Sequence, residues 1–258
     1  MGFDAEWLAL REPADTEARD RMMLARAIAY AEAGATLLDL GCGTGATARA
    51  FETAGAADIR WRFFDNDPKL LARAAALHPK AEICRGDLNA IDDLPLEGVR
   101  LVTASALFDL VSQEWLARLA TRLARDGIAL YAALSYDGGM RWTPEDPLDA
   151  TVTAQFNAHQ CRDKGFGPAL GPTAGRCASE LFSAKGYDVS LTQSPWKIGP
   201  DARALQAMLL DGIAQAAFDM GCVEAPDWAT RRSTAVGQGQ TEIGHVDFLA
   251  LPSQHHSN

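Results

Sequence analysis

Short apolar runs alternate with amphipathic stretches along most of the chain. The run Leu37-Leu38-Asp39-Leu40 breaks into Gly41-Cys42-Gly43-Thr44-Gly45, and a helix-forming stretch follows over 47–54. That order predicts a strand, a tight turn and a helix. Further apolar runs predict strands over 59–64, 81–84, 101–105, 128–134, 187–191 and 242–251. Helical spacing predicts helices over 68–77, 113–124 and 174–185, with Pro68 suited to a first helical position. Ahead of the first strand, residues 3–14 predict a short helix stopped by Pro13. Asp15 or Thr16 is then placed to cap a second helix, running to about residue 33 and closed by Gly34.

Strands and helices in this alternation predict an α/β fold, a doubly wound and mostly parallel sheet of seven strands. Two segments exceed what such a sheet needs. Residues 137–172 leave the fifth strand and are rich in glycine and proline; residues 195–238 leave the sixth and hold helical patterns over 201–220 and 225–235. The carboxyl ends of strands form the ligand crevice of open α/β sheets. Both insertions are therefore expected as a helical cap over a substrate pocket with aromatic walls from Trp142, Phe156, Phe166 and Trp196, although the same rings would serve as the cap's own core. A single domain is expected over 1–258, with 1–35 as leading helices. The His255-His256 tail is expected to be disordered.

A chain of 258 residues can bury a sizeable core. No apolar run reaches the roughly 20 residues that span a bilayer. The first residues carry acids and no apolar signal core, which makes the cytoplasm the default compartment. The net charge of −10, without a dense lysine and arginine cluster, disfavours nucleic acid as a partner. Five scattered cysteines without a CxxC pair suggest free thiols and no zinc site. No carboxylate and histidine spacing suggests a catalytic metal.

The glycine turn carries the candidate chemistry. Glycines permit backbone angles closed to other residues and let a ligand lie against the main chain, while the following helix points free N–H groups into the turn. Cys42 inside it reads as a small residue that fits rather than as a nucleophile. The second strand ends in Asp65-Asn66-Asp67-Pro68, with Asp65 20 residues after Gly45. A carboxylate held there can accept both hydroxyls of a ribose. Asp67 is the better helix cap, and Asn66 is placed along an adenine face.

Asp39-Leu40-Gly41-Cys42-Gly43-Thr44-Gly45 resembles the first motif of class I methyltransferases that use S-adenosylmethionine. Gly41-x-Gly43-x-x-Ala46 also fits a dinucleotide-binding turn, so a nicotinamide-dependent oxidoreductase stays as an alternative, as does a non-catalytic module that only binds S-adenosylmethionine. Gly45, Asp39 and the step Gly86-Asp87-Leu88 after the third strand favour the methyltransferase. The resemblance implies that Asp87 accepts from the adenine amine and that Leu88 packs on the ring. It also implies a leading helix over the cofactor, a last strand antiparallel between the fifth and sixth, and Ser105 and Leu107 near the methyl group. Arg19 then either reaches the cofactor carboxylate or is a solvated surface arginine.

The expected reaction is methyl transfer to oxygen or nitrogen of a small-molecule acceptor. It needs alignment, and a base only if the nucleophile arrives protonated. Asp109 past the fourth strand, Tyr136, Asp137 and His159 are the candidates. Asp109 either deprotonates or binds substrate, or caps the next helix. His159 is the one histidine placed in an insertion, as a base or as a structural tie. An Asn/Asp-Pro-Pro-aromatic tetrapeptide is missing after the fourth strand, which argues against amino-methylation of adenine in DNA or glutamine in protein. A Tyr-x-x-x-Lys pair is missing too, which argues against a short-chain dehydrogenase.

Overall fold

The computed structural model describes residues 4–253. The start of the first helix at residue 3 and the His255-His256 tail lie outside the described residues. Helix α1 spans Ala5–Ala18 and α2 spans Arg21–Ala31. Strand β1 (Thr36–Leu40) leads through the glycine turn into α3 (Ala46–Thr53); β2 (Arg60–Asp65) leads into α4 (Pro68–Leu77). Strands β3 (Glu82–Arg85) and β4 (Val99–Ser105), helix α5 (Gln113–Asp126) and strand β5 (Ala129–Thr143) complete the first half. Helix α6 (Asp149–Gln160), α7 (Ala174–Ala184), β6 (Tyr187–Gln193), β7 (Trp196–Ile198), α8 (Arg203–Asp219), α9 (Ala225–Ser233) and β8 (Gln240–Pro252) follow.

The sheet has eight strands in the order β3-β2-β1-β4-β5-β8-β6, with β7 pairing on β8. Strands β1 to β5 are parallel, and β8 lies antiparallel between β5 and β6. Period-two alternation divides the side chains between two layers. Leu38, Leu40, Val102 and Leu130 pack with Trp115, Leu119 and Phe182 of α5 and α7 on one face. Leu37, Trp61, Phe63 and Tyr131 pack with Met23, Ala27 and Phe51 of α2 and α3 on the other. Asp67 caps α4 by accepting from the backbone N–H of Lys69 at 2.7 Å, with Pro68 in the first turn.

Three expectations are corrected. Pro13 does not stop the first helix: α1 runs through it to Ala18, and Asp20, not Asp15 or Thr16, caps α2 by accepting from Met23 N–H. Arg11 and Asp15 form an ion pair across the proline at 2.9 Å, and Trp196 donates its indole N–H to Asp15 at 3.0 Å, so long-range ties hold the turn that proline weakens. The fifth strand does not end at 134. It continues to Thr143 as an antiparallel arm with β8, because Asp137-Gly138-Gly139 forms a bulge rather than a turn, with Asp137 Oδ1 accepting from Gly139 N–H at 2.8 Å. Strand β7 is an eighth strand that the sequence reading lacks. His159, within the segment 137–172, lies in the last turn of α6.

The arm made by β5, β7 and β8 carries a third apolar cluster. Tyr136, Trp142, Trp196 and Ile243 on the arm pack with Leu205, Ile213 and Trp228 of α8 and α9, and α1 adds Trp7, Leu10 and Ala14. Trp142 and Trp196 thus belong to the core of the cap. Phe166 turns away from the cap, onto Trp115 with ring centroids 5.9 Å apart.

Candidate functional site

The glycine turn closes the β1 end with Gly41, Gly43 and Gly45 at φ values of 63°, 54° and 83°. Only glycine fills these positions without strain. A Cβ on Gly45 would lie 2.8 Å from the His78 ring and 3.2 Å from Phe63, so side chains behind the turn also exclude anything larger. In front, a Cβ on Gly43 would lie 3.1 Å from Leu8 Cδ1. Helix α1 therefore lies across the open side of the turn. Arg49 of α3 fixes it there, gripping Glu12 with both Nε (2.6 Å) and Nη2 (2.7 Å) while donating to the Thr44 carbonyl.

Asp65, at the end of β2, accepts from Gly43 N–H and from Asp67 N–H, each at 3.0 Å. Each oxygen keeps a second lone pair for a ligand hydroxyl. Asn66 is exposed beside it. Asp87 is exposed, with Oδ1 accepting from Asn89 N–H at 2.9 Å. Leu88 reaches within 3.8 Å of the Cβ position of Gly41, and its carbonyl accepts the Trp115 indole N–H at 2.8 Å. Cys42 is buried, and burial with Asp39 nearby drives its thiol upward, away from thiolate chemistry.

Asp39 is 1% exposed. Its Oδ1 accepts from Thr103 Oγ1 at 2.7 Å, and its Oδ2 is buried with no partner. Burial pushes its carboxyl up to about 7. Arg19 is not a solvated surface residue: it is 4% exposed, donates from Nη2 to Ser105 Oγ at 2.9 Å, and leaves Nη1 buried and unpaired. An unsatisfied acid and an unsatisfied guanidinium N–H, both sealed from water, fit a ligand that brings an ammonium and a carboxylate. Asp39, Arg19, the glycine turn and Asp65, with Leu88 beside Gly41, are the groups here that could hold an amino acid joined to a nucleoside.

Past β4, Asp109 does not cap α5; Ser112 does, accepting from Trp115 N–H at 3.2 Å. Asp109 Oδ1 is buried without a partner, and burial raises its carboxyl to about 6 against the charges of Arg11 and Lys164. Tyr136 adjoins it, with its hydroxyl donating to Asn157 Oδ1 at 2.7 Å and its ring edge-on to Phe156. Asp137 is spent on the bulge. His159 sits apart from these groups, with Nδ1 3.4 Å from Lys164 Nζ, and burial and the cations Lys164 and Arg162 lower its pKa.

Three buried groups here escaped the sequence reading: Arg11, Asp247 and His245. The pattern Ile243-x-His245-x-Asp247 on the last predicted strand put them on one face, but only the pairing with β5 shows what that face meets. Among the described residues no helix is long and apolar enough to cross a membrane, and no group of three or more His, Cys, Asp or Glu could hold a metal ion.

Residues 37–127 match the family model described as a methyltransferase domain. No curated protein matches the sequence. Among solved structures the chain is similar to a Bacillus halodurans protein regarded as a methyltransferase, with 15% identity, a TM-score of 0.52, and 89% of this chain and 99% of that one covered. It is similar also to the cyclopropane synthase MmaA2 from Mycobacterium tuberculosis, at 14% identity and a TM-score of 0.51, covering 96% of this chain and 94% of that one. The mycolic acid cyclopropane synthase CmaA1, solved with S-adenosylhomocysteine, is similar at 15% identity and a TM-score of 0.50, covering 88% and 82%. At these identities the structures speak for the fold, and the domain match speaks for the chemistry. Residues 37–127 thus match a methyltransferase domain, a kind of domain that uses S-adenosylmethionine, and this match favours methyl transfer over the oxidoreductase alternative.

Proposed function

We infer that the protein moves a methyl group to oxygen or nitrogen of a small-molecule acceptor, with Asp109 as the general base. When bound, S-adenosylmethionine supplies a sulfonium-activated methyl group, and the nucleophile's lone pair forms the new bond while the broken S–C pair stays on sulfur. The main chain of Gly41, Cys42 and Gly43 supports the cofactor's amino-acid part, Asp39 Oδ2 meets its ammonium and Arg19 Nη1 its carboxylate. Asp65 takes the ribose hydroxyls; Asn66, Asp87 and Leu88 surround the adenine; Ser105 holds Arg19 in place near the methyl group.

One observation carries the base assignment: Asp109 Oδ1 is sealed without a partner just past β4, beside Tyr136 and under the cap. A carboxyl raised to about 6 is mostly ionised at neutral pH yet basic enough to take a proton. His159, half-exposed and tied to Lys164, suits the rim of the acceptor site better than its centre. The regions 137–172 and 195–238 enclose the acceptor, which favours a small molecule over a polymer.

The test is formation of S-adenosylhomocysteine from S-adenosylmethionine across a panel of small amines, alcohols, phenols and carboxylic acids. Turnover with one class, lost in Asp109→Asn while cofactor binding persists, is the expected result. Turnover unchanged in Asp109→Asn overturns the assignment of the base.

A further inference from the structure

The face of β5 and β8 under the cap presents a second unpaired polar atom that the reading above leaves unused. His245 stands directly opposite Tyr136 in the β5–β8 register, so the two side chains leave the sheet on the same side. Its ring lies 4.8 Å from that of Trp196 and 6.2 Å from that of Tyr136, and its Nδ1 is buried without a partner. Tyr136 adjoins Asp109 as well, and the Arg11 charge reaches both Asp109 and His245. The two orphaned atoms therefore share one neighbourhood, bounded by Tyr136, Phe156, Trp196 and Arg11.

The two cations whose charge reaches Asp109 are otherwise engaged. Arg11 is bound to Asp15 through Nε and Nη2, at 2.9 and 3.1 Å, and Lys164 Nζ lies 3.4 Å from His159 Nδ1. A buried carboxylate without a direct ion pair favours a ligand that brings a positive charge. Burial, then Arg11, hold the His245 ring well below its usual range, at about 3, so it stays neutral and does not repel a cation. Aromatic rings on the remaining sides suit one.

Resting on the methyl-transfer reading, we propose that the acceptor is a primary or secondary amine bearing a second hydrogen-bonding group, with Asp109 binding the ammonium and His245 Nδ1 binding that second group. His245 is the specificity-determining residue of the pair. Asp109 Oδ1 takes one proton from the ammonium, which frees the nitrogen lone pair. The resulting carboxylic acid passes that proton to solvent after the product leaves as a methylated cation. An alcohol or phenol of the same shape brings no positive charge to that carboxylate.

The experiment uses the full chain saturated with S-adenosylhomocysteine and titrates it calorimetrically with amino alcohols from 2-aminoethanol to 5-aminopentanol. Matched diols and n-alkylamines are the controls. One chain length should bind best, the matched diol should bind at least about tenfold more weakly, and His245→Leu should lower the amino alcohol to the level of the alkylamine, roughly a tenfold loss. His245→Gln, which keeps a polar side chain, should recover part of that loss, and unchanged S-adenosylhomocysteine affinity verifies folding of both variants. Equal binding of diols, no binding by any amine, or indifference to His245→Leu overturns the proposal. Turnover of a non-amine acceptor would overturn it while leaving the methyl-transfer reading intact; amines that bind but are never methylated would count against that reading instead.

Discussion

The carboxylate of Asp247 accepts the backbone N–H of Leu134 at 2.9 Å, and Leu134 holds a φ of 57° that side chains rarely adopt. The bond sits where β5 leaves the parallel sheet and becomes the arm under the cap. The same carboxylate accepts from Asp20 N–H (2.9 Å), Ser194 Oγ (2.7 Å) and Tyr131 Oη (3.3 Å). One fully buried acid thus joins the α1–α2 junction, the irregularity of β5 at Leu134 and the link between β6 and β7. Asp247→Ala strands several buried donors and should cost about 3–5 kcal/mol of unfolding free energy. Asp247→Asn, which keeps one acceptor oxygen, should cost less. Urea denaturation of the three proteins measures it, and equal midpoints for wild type and Asp247→Ala would remove the hub.

As the proposed ammonium ligand, Asp39 should give cofactor binding a pH dependence. Its carboxyl is raised to about 7, so it is largely protonated below that pH and cannot hold an ammonium as an anion. Affinity for S-adenosylmethionine should rise by up to about tenfold per pH unit as pH climbs toward 7, then level off. The sign for folding is opposite. A raised acid contributes fully below its unfolded value of about 3.9 and loses that contribution as pH rises through 7. Asp39→Asn should flatten the binding curve. Isothermal titration at several pH values checks this, and a dissociation constant independent of pH in the wild type would rule it out.

Local chemistry was legible in the sequence and long-range pairing was not. The glycine turn, the Asp67 cap and the bounds of α4 follow from residues adjacent in the chain, and the structure has them as read. The order of the last strand followed from the resemblance. Asp137-Gly138-Gly139 signals a turn by composition, and only β8, where Gly244 leaves room for the Asp137 carboxylate, converts it into a bulge. Pro13 signals a stop that the Asp15 contacts override. Arg19 reads as either a cofactor contact or a surface residue until its burial against Ser105 removes the second, and His245 gains meaning only opposite Tyr136.

Asp109 should separate chemistry from binding. Asp109→Asn keeps the shape of the side chain but removes its basicity, so kcat should fall by roughly 10²–10⁴. The affinity for S-adenosylmethionine should stay within about twofold, because Asp109 is not among the residues assigned above to the cofactor. In the wild type, kcat/KM should decline as pH falls below about 6, where the carboxyl takes up its proton. That acid limb should vanish from the residual activity of Asp109→Asn. A limb that survives the substitution would assign the titration to another group.

Leu8 lies over Gly43, so a cofactor seated on the glycine turn as proposed requires α1 to move first. What holds it closed is visible: Glu12 and Arg49 pair through two nitrogens on one side, and Asp15 accepts the Trp196 indole N–H on the other. The Glu12–Arg49 side chains are about a quarter exposed, at 27% and 25%, so solvent screening limits the pair to about 1 kcal/mol of stability. Its effect on rates should be larger than on folding, because displacing α1 from the turn would break the pair. Glu12→Gln should speed cofactor dissociation by about three- to tenfold and leave the urea midpoint nearly unchanged. Gly43→Ala should weaken closure in the same sense and further: its Cβ meets Leu8 and its φ of 54° is strained, so α1 is pushed off the turn and cofactor affinity drops by more than tenfold. Leu8→Ala combined with Gly43→Ala should recover part of that affinity by removing the clash and leaving only the strain. Stopped-flow dissociation of S-adenosylhomocysteine from the four proteins decides it; a double variant no better than Gly43→Ala alone would show that Leu8 is not the lid.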